Sequence, residues 1–346
     1  MAITKQQVVD ALKQVIYFAK KDNIVNLNMI QDISIKGKEI KVTIVFEKLD
    51  DPAVGIIYNS VVKTLKTELG DDITVDVKPV ADDTPGPLSG VKNIVAVISG
   101  KGGVGKSTVA ANLAISLAKD GNKVGILDAD VLGPSVPIMF GVEDGQPKVI
   151  ERKGKPVLLP LENYGIKILS IGFFVKPEQA LMWRGSMANN AFNQLMTDCD
   201  WGQLDYLVID MPPGTGDIQL TLAQNYNITG ALLVTTPQKV AAADVRRAAM
   251  MYRQEKLTIP LLGIVENMSY FTPEDAPDKK YYIFGQGASE QLANELGIKV
   301  LGHIPIDPKV TETGDKGTPL SLVDGSPVSN AFAEIVTKLK AEVAKL

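Results

Sequence analysis

The sequence predicts an α/β protein: a mostly parallel sheet covered by helices, preceded by a small α+β domain. Three observations carry that expectation. After residue 93, short runs rich in Val, Ile and Leu are apolar at consecutive rather than alternate positions, with helical stretches between them. Strands of that kind are buried on both faces, which a parallel sheet under helices provides. A glycine-rich stretch, SGKGGVGKST (99–108), joins one such run to an amphipathic helix. The residues before it instead alternate in the manner of half-exposed strands, and a segment rich in Pro, Gly, Asp and Ser separates the two parts.

Residues 1–80 read as helix, strand, strand, helix, strand. Val8, Leu12, Val15 and Ile16 recur at helical spacing and predict an amphipathic first helix. The segment DISIKGKEIKVTIVF (32–46) alternates as two strands around Gly37-Lys38, a hairpin signal. A second amphipathic helix, roughly 53–68, leads into the strand ITVDVKP. With no Cys, no His and no cluster of catalytic side chains, this module reads as a docking or dimerising domain. ADDTPGPLSG (81–90) opens an exposed linker placed at 81–92.

The second domain spans 93–346. NIVAVIS, KVGILDAD, DYLVIDM, GALLVTT and LLGIVENMS predict buried strands, and 106–120 and 240–255 predict helices. At the far end Ser326-Pro327 is a good N-cap and first-turn pair. Phe332, Ile335, Val336, Leu339 and Val343 then share one face of a helix. A membrane-surface helix and a helix packed on its own domain both carry such a face. The short stripe and the mixed charges opposite it favour packing.

The bulk numbers narrow the function classes. The chain has 346 residues, 45% hydrophobic and 22% charged, long enough for one large core and a small one. A net charge of −4 gives no electrostatic reason to expect nucleic acid as a partner. No apolar run approaches the ~20 residues that span a bilayer, and the N-terminus lacks the apolar core of a signal peptide. Cys199 is the one cysteine, so no internal disulfide forms and a cytoplasmic location is expected.

The residues from Gly100 to Ser107 fit G-x-x-x-x-G-K-[ST], with a strand before and a helix after. The glycines let backbone N–H groups approach phosphate oxygens with no Cβ in the way, and the following helix directs its positive end at the same oxygens. Gly100, Lys101, Gly102, Gly103, Val104, Gly105, Lys106, Ser107 and Thr108 therefore form the candidate nucleotide loop of a P-loop NTPase. Lys106 is expected on the β- and γ-phosphates and Ser107 on Mg²⁺. Two strands end in carboxylates, at Asp128 and Asp130 and at Asp210. Such positions border the ligand crevice of a parallel sheet. Asp210 and Asp128 are expected near the metal, and Asp130 is the candidate to orient the attacking water. PPGTGD (212–217) reads as a switch loop hinged at Gly214 and Gly216.

SGKGGVGKST is similar to the loop of the MinD/ParA-like ATPases, which carries an extra lysine near its start. The resemblance implies that Lys101 reaches the ATP of a partner subunit, as an arginine finger does, so that the chain acts as a homodimer around two ATP molecules. A contact of that kind is worth ~10³–10⁵ in rate. Together with DADVLGPSVP (128–137), MWRGSM (182–187), DWGQLDYLVIDMPPGTGD (200–217) and ENMSYF (266–271), the chain resembles the Mrp/ApbC family of iron–sulfur cluster carrier ATPases. Residues 1–80 resemble the small iron–sulfur assembly domain often found in front. The resemblance implies slow ATP hydrolysis and transfer of iron–sulfur clusters, with assembly proteins or apo-protein clients as partners. It implies that Asn267 and the loop HIPIDP (303–308) contact adenine, and that Arg184 lies near the dimer interface. His303 reads as a structural residue of that loop.

One departure from the family is plain. Its members usually carry C-x-x-C shortly after the ENMSYF segment, and two copies then supply the four thiolates of a bridging cluster. Here the segment is TPEDAPDKK, with Thr272, Glu274, Asp275 and Asp278, whose hard oxygens do not match cluster iron. Two alternatives therefore stand beside cluster transfer: a cluster-free nucleotide switch that docks and releases clients, and a membrane-cycling ATPase.

Overall fold

The structure is a computed structural model that describes residues 3–46, 49–81, 88–131, 133–152, 155–174, 185–253 and 259–346. The chain divides into two compact units, 1–85 and 86–346.

In the first unit, α1 (Lys5–Leu12) opens on a capping box in which Thr4 and Gln7 bond each other's backbone N–H groups. A short hairpin of β1 (Ile16–Tyr17) and β2 (Asp22–Asn23) follows. The strands β3 (Ile30–Lys36) and β4 (Glu39–Phe46) pair antiparallel across Gly37-Lys38. The crossover helix α2 (Ala53–Leu69) returns the chain so that β5 (Thr74–Ala81) pairs parallel to β4. Val8, Leu12, Ile40, Val42, Ile44, Ile57, Val61 and Leu65 close a core between sheet and helices. The first helix is shorter than its apolar spacing predicts. It ends at Leu12, Val15 enters the core from the following turn, and Ile16 lies exposed on β1. Pairing with Asn23 outcompetes another helical turn there.

In the second unit, β6 (Val91–Ser99) leads through the glycine loop into α3 (Lys106–Lys119), and β7 (Val124–Asp128) leads to the short α4 (Val136–Met139). The hairpin β8 (Lys148–Arg152)–β9 (Lys155–Leu159) stands apart from the main sheet, whereas β10 (Leu161–Asn163) and β11 (Ile166–Ser170) extend it. Next come α5 (Ser186–Thr197), β12 (Leu204–Asp210), α6 (Asp217–Asn225), β13 (Gly230–Thr235) and α7 (Lys239–Tyr252). The unit closes with β14 (Leu261–Glu266), α8 (Ala288–Leu296), β15 (Val300–His303), α9 (Pro308–Asp315) and α10 (Pro327–Val343).

The eight-stranded sheet has the order β10-β11-β7-β12-β6-β13-β14-β15, parallel throughout except for β10 at its edge. One face is covered by α5, α6, α7 and α8 through residues such as Phe192, Leu222, Val245 and Leu292. The other carries α3 and α10 through Val109, Leu113, Phe332 and Ile335. The apolar face of α10 is therefore packed on its own domain. Ser326 caps its first turn by accepting from the Ser329 N–H. Among the described residues, no helix is long and apolar enough to cross a membrane. The strands at 148–170 and β15 are each only three to five residues long, too short to carry a long apolar run in the sequence.

Candidate nucleotide-binding site

The sheet brings the site together at the C-terminal ends of its central strands. Asp210, the last residue of β12, stands in register with Asp128 on β7 and Val97 on β6. The loop that leaves β6 therefore passes directly beside two strand-end carboxylates. Gly103 and Gly105 take left-handed φ values of +82° and +79°, as a loop that turns its N–H groups inward requires. Gly105 is also the N-cap of α3, so the positive end of that helix points into the cradle.

Gly100 answers to a different demand. A Cβ there would stand 2.1 Å from the backbone carbonyl carbon of Asp244, because α7 crosses the start of the loop. Asn267 sets the same kind of limit at Gly105, where a Cβ would stand 2.2 Å from its Nδ2. These two glycines are fixed by packing as much as by any ligand.

Lys106 is buried, and its ammonium donates to Asp210 Oδ1 at 2.5 Å. It lies 3.3 Å from Ser107 Oγ and 3.9 Å from an Asp130 carboxylate oxygen. Three other residues marked in the sequence thus lie within reach of the Lys106 ammonium. Lys101 is half-buried, and among the described residues it forms no ion pair. The Ser99 hydroxyl donates to its carbonyl at 2.9 Å, which fixes the backbone at the loop's start. Gly214, with φ of +90°, donates its N–H to the Ser99 carbonyl and so holds the 212–217 loop against the glycine loop. Thr108 lies in the first turn of α3, its carbonyl accepting from the Asn112 side-chain amide.

Asp128 and Asp210 are both fully buried. Burial and then the neighbouring Asp210 charge push the Asp128 carboxyl up to about 8. Its oxygens accept from the Asp130 and Val136 N–H groups and from the Ser170 hydroxyl. Burial also pushes Asp210 upward, against the opposing pull of the Lys106 ammonium. Among the described residues, Asp210 Oδ2 is buried without a hydrogen-bond partner. A buried carboxylate oxygen without a donor, beside the Ser107 hydroxyl, suits a hydrated Mg²⁺.

The segment in the place of the usual cysteine pair leaves the same end of the sheet. Phe271 bridges to Tyr281 and to Ile306, and Tyr281, Tyr282, Ile283 and Phe284 form an exposed apolar run. Among the described residues, no group of three or more His, Cys, Asp or Glu side chains could hold a metal ion. Cys199 is buried in the core beside Trp201, and burial pushes its thiol up to about 12, so it stays protonated. His303 ends β15 and bonds two carboxylates, Glu266 at 3.1 Å and Glu290 at 3.2 Å. The members of that network are scattered along the sequence and meet only in the fold. Arg184 lies outside the described residues.

A strand, a glycine loop closed by a helix, and an ammonium held by strand-end carboxylates define a P-loop nucleotide-binding protein. The family models narrow the class. Residues 90–340 match that of the NUBPL iron-transfer P-loop NTPase, and residues 5–77 match that of an iron–sulfur cluster assembly protein. The chain belongs to the NUBPL-type iron-transfer P-loop NTPase family. It is 42% identical to an iron–sulfur cluster carrier protein of Synechocystis, over 99% of this chain and 97% of the relative. It is 44% identical to one from Aquifex aeolicus, covering 96% and 98%. Among solved structures it is similar to a nucleotide-binding protein from Archaeoglobus fulgidus in complex with ADP. That match has a TM-score of 0.58 at 42% identity and covers 67% of this chain and 88% of the other. The cell-division ATPase MinD of Pyrococcus furiosus shares the fold, with a TM-score of 0.53 at 20% identity, covering 72% of this chain and 99% of the other.

Proposed function

We propose that this protein is a homodimeric ATPase of the cytoplasm that takes part in iron–sulfur cluster assembly and hands clusters on to apo-protein clients. The observation that carries the reading is the convergence of Lys106, Ser107, Asp130 and Asp210 within a chain-long match to iron–sulfur carriers. In this reading ATP displaces the Lys106 ammonium from Asp210, and the ammonium pairs with the β- and γ-phosphates. Ser107 and Asp210 would hold Mg²⁺, which would neutralise part of the phosphate charge. Asp128, its oxygens engaged by three donors, braces the strand end. Asp130 orients water toward the γ-phosphorus; the water oxygen bonds to phosphorus as the P–O bond to ADP breaks, and inorganic phosphate leaves carrying one of the water's protons while the other passes to solvent. Lys101 acts on the ATP of the partner subunit, and residues 1–80 dock assembly proteins or clients.

Subunit mixing tests this arrangement. Lys101→Ala and Lys106→Ala are each expected to be inactive alone. Their heterodimers hold one complete site, so an equimolar mixture recovers about a quarter of wild-type ATPase activity if two-fold symmetric dimers exchange freely. No recovery, with exchange shown by labelled subunits, overturns the trans role.

The cluster is cargo, and residues 272–280 hold no thiolate for it. Anaerobic reconstitution with iron and sulfide yields an acid-labile chromophore that reaches an apo-acceptor if this chain carries the cluster itself. A colourless protein with intact ATPase activity overturns direct carriage. The exposed run Tyr281–Phe284 favours the second reading, a cluster-free nucleotide switch that docks and releases clients. ATP-dependent client capture, lost in Lys106→Ala, then remains.

A further inference from the structure

The end of β14 is tied together more tightly than a loop junction requires. Glu266 is buried, yet three donors converge on its carboxylate: the Ser269 hydroxyl at 2.6 Å, the Ser289 hydroxyl at 2.5 Å, and His303 Nδ1 at 3.1 Å. These come from the following turn, from α8 and from β15. The turn between Glu266 and Ser269 places Met268 at φ of +55°, a left-handed conformation that a side chain of that size rarely adopts. The bond from Ser269 back to Glu266 closes the turn around it.

What that turn aims is Asn267. Its backbone N–H is held by the Thr235 carbonyl at 2.8 Å, and its buried side-chain amide donates to the Val104 carbonyl at 2.9 Å. Val104 lies inside the glycine loop, between the two left-handed glycines. Across a trans peptide the carbonyl of one residue and the N–H of the next point in opposite directions. An Asn267 amide that holds the Val104 carbonyl outward therefore turns the Gly105 N–H the other way, toward the phosphate cradle.

We propose that Glu266 is a positioning residue of the phosphate loop, acting through Asn267 to fix the Val104–Gly105 peptide in its phosphate-binding orientation. The inference rests on the nucleotide-binding reading of the loop and adds to it a role for Asn267 other than a contact with the base. Ser269, Ser289 and His303 serve the same end by holding the Glu266 carboxylate.

The test is a double-mutant cycle on the full chain. Dissociation constants are measured for ATP, GTP and inorganic triphosphate, with urea unfolding of each variant in parallel. Asn267→Ala is expected to weaken all three ligands by a similar factor, about 5- to 10-fold, the worth of one buried hydrogen bond. Glu266→Gln is expected to weaken them about 3- to 5-fold in wild type and to have no further effect beside Asn267→Ala. A loss confined to ATP overturns the proposal in favour of a base contact. An effect of Glu266→Gln that persists in the Asn267→Ala background overturns it in favour of general destabilisation. Ser289→Ala removes one donor from Glu266 at less risk to folding. It is expected to show the same dependence on Asn267, and its absence counts equally against the proposal. If wild type binds none of the three ligands, the nucleotide reading itself has failed, an outcome distinct from the loss of coupling.

Discussion

Gly105→Ala puts the geometry of the loop to a quantitative test. A Cβ at residue 105 would stand 2.2 Å from Asn267 Nδ2, where ordinary contact begins at 3.4 Å. The Asn267 amide must therefore withdraw and give up its 2.9 Å bond to the Val104 carbonyl, worth about 1 kcal/mol. Alanine at φ of +79° adds roughly 1–2 kcal/mol of backbone strain. The total is about 2–3 kcal/mol, or ~30- to 150-fold in an equilibrium constant. If the loop keeps its conformation, the cost appears as lost stability of the ligand-free protein. If the loop relaxes, it appears when ATP forces the loop back. Urea unfolding and ATP titration together therefore recover the sum, however it divides. Gly102→Ala is the control, because a Cβ there meets nothing within 4 Å, so stability should stay within ~0.5 kcal/mol. Both quantities unchanged in Gly105→Ala would refute the argument that Asn267 shapes the loop.

Three further outcomes follow from the buried charges and the packing. The Asp128 carboxyl sits at about 8 in the folded chain, far above the unfolded value of 3.8, so the native state keeps a proton that the unfolded state has lost. Its contribution to stability is whole below pH 4 and fades as pH rises toward 8, and Asp128→Asn flattens that decline in urea unfolding between pH 5 and 8. His303 is raised above 6.5, chiefly by its hydrogen bond to Glu266, with Glu290 on α8 adding and Lys338 on α10 opposing. Glu334 and Lys280 line the same cavity. The His303 contribution is complete below about pH 6.5 and is lost as pH rises through the raised value; His303→Gln should remove that part of the pH dependence. Phe332→Ala on α10 deletes a ring that is 1% exposed and should cost about 3–5 kcal/mol, measured by thermal or urea unfolding. A loss under 1 kcal/mol would reopen the membrane-surface reading of that helix, which vesicle flotation with ATP would then decide.

The order of the central elements was legible because each buried strand is a continuous apolar run and each break carries Gly, Pro or Asp. The glycine loop was legible for a chemical reason: phosphate-binding backbone tolerates few residue types, so Gly100 to Ser107 announces itself locally. The missing cysteine pair was legible too, since residue identity alone decides which donors 272–280 offer. The strand ends at Asp128 and Asp210 could be marked but not related, because their adjacency comes from the β7–β12 register. That register makes Asp210 raise the Asp128 carboxyl, and the sheet also lays Asn267 against Val104, a residue 163 positions away in the chain. Gly100 and Gly105 show the division within a single motif. The sequence by itself called for small residues there to admit phosphate. Only the tertiary structure revealed that α7 and Asn267 demand them as well, since close approach between distant segments exists only once the sheet has closed the distance.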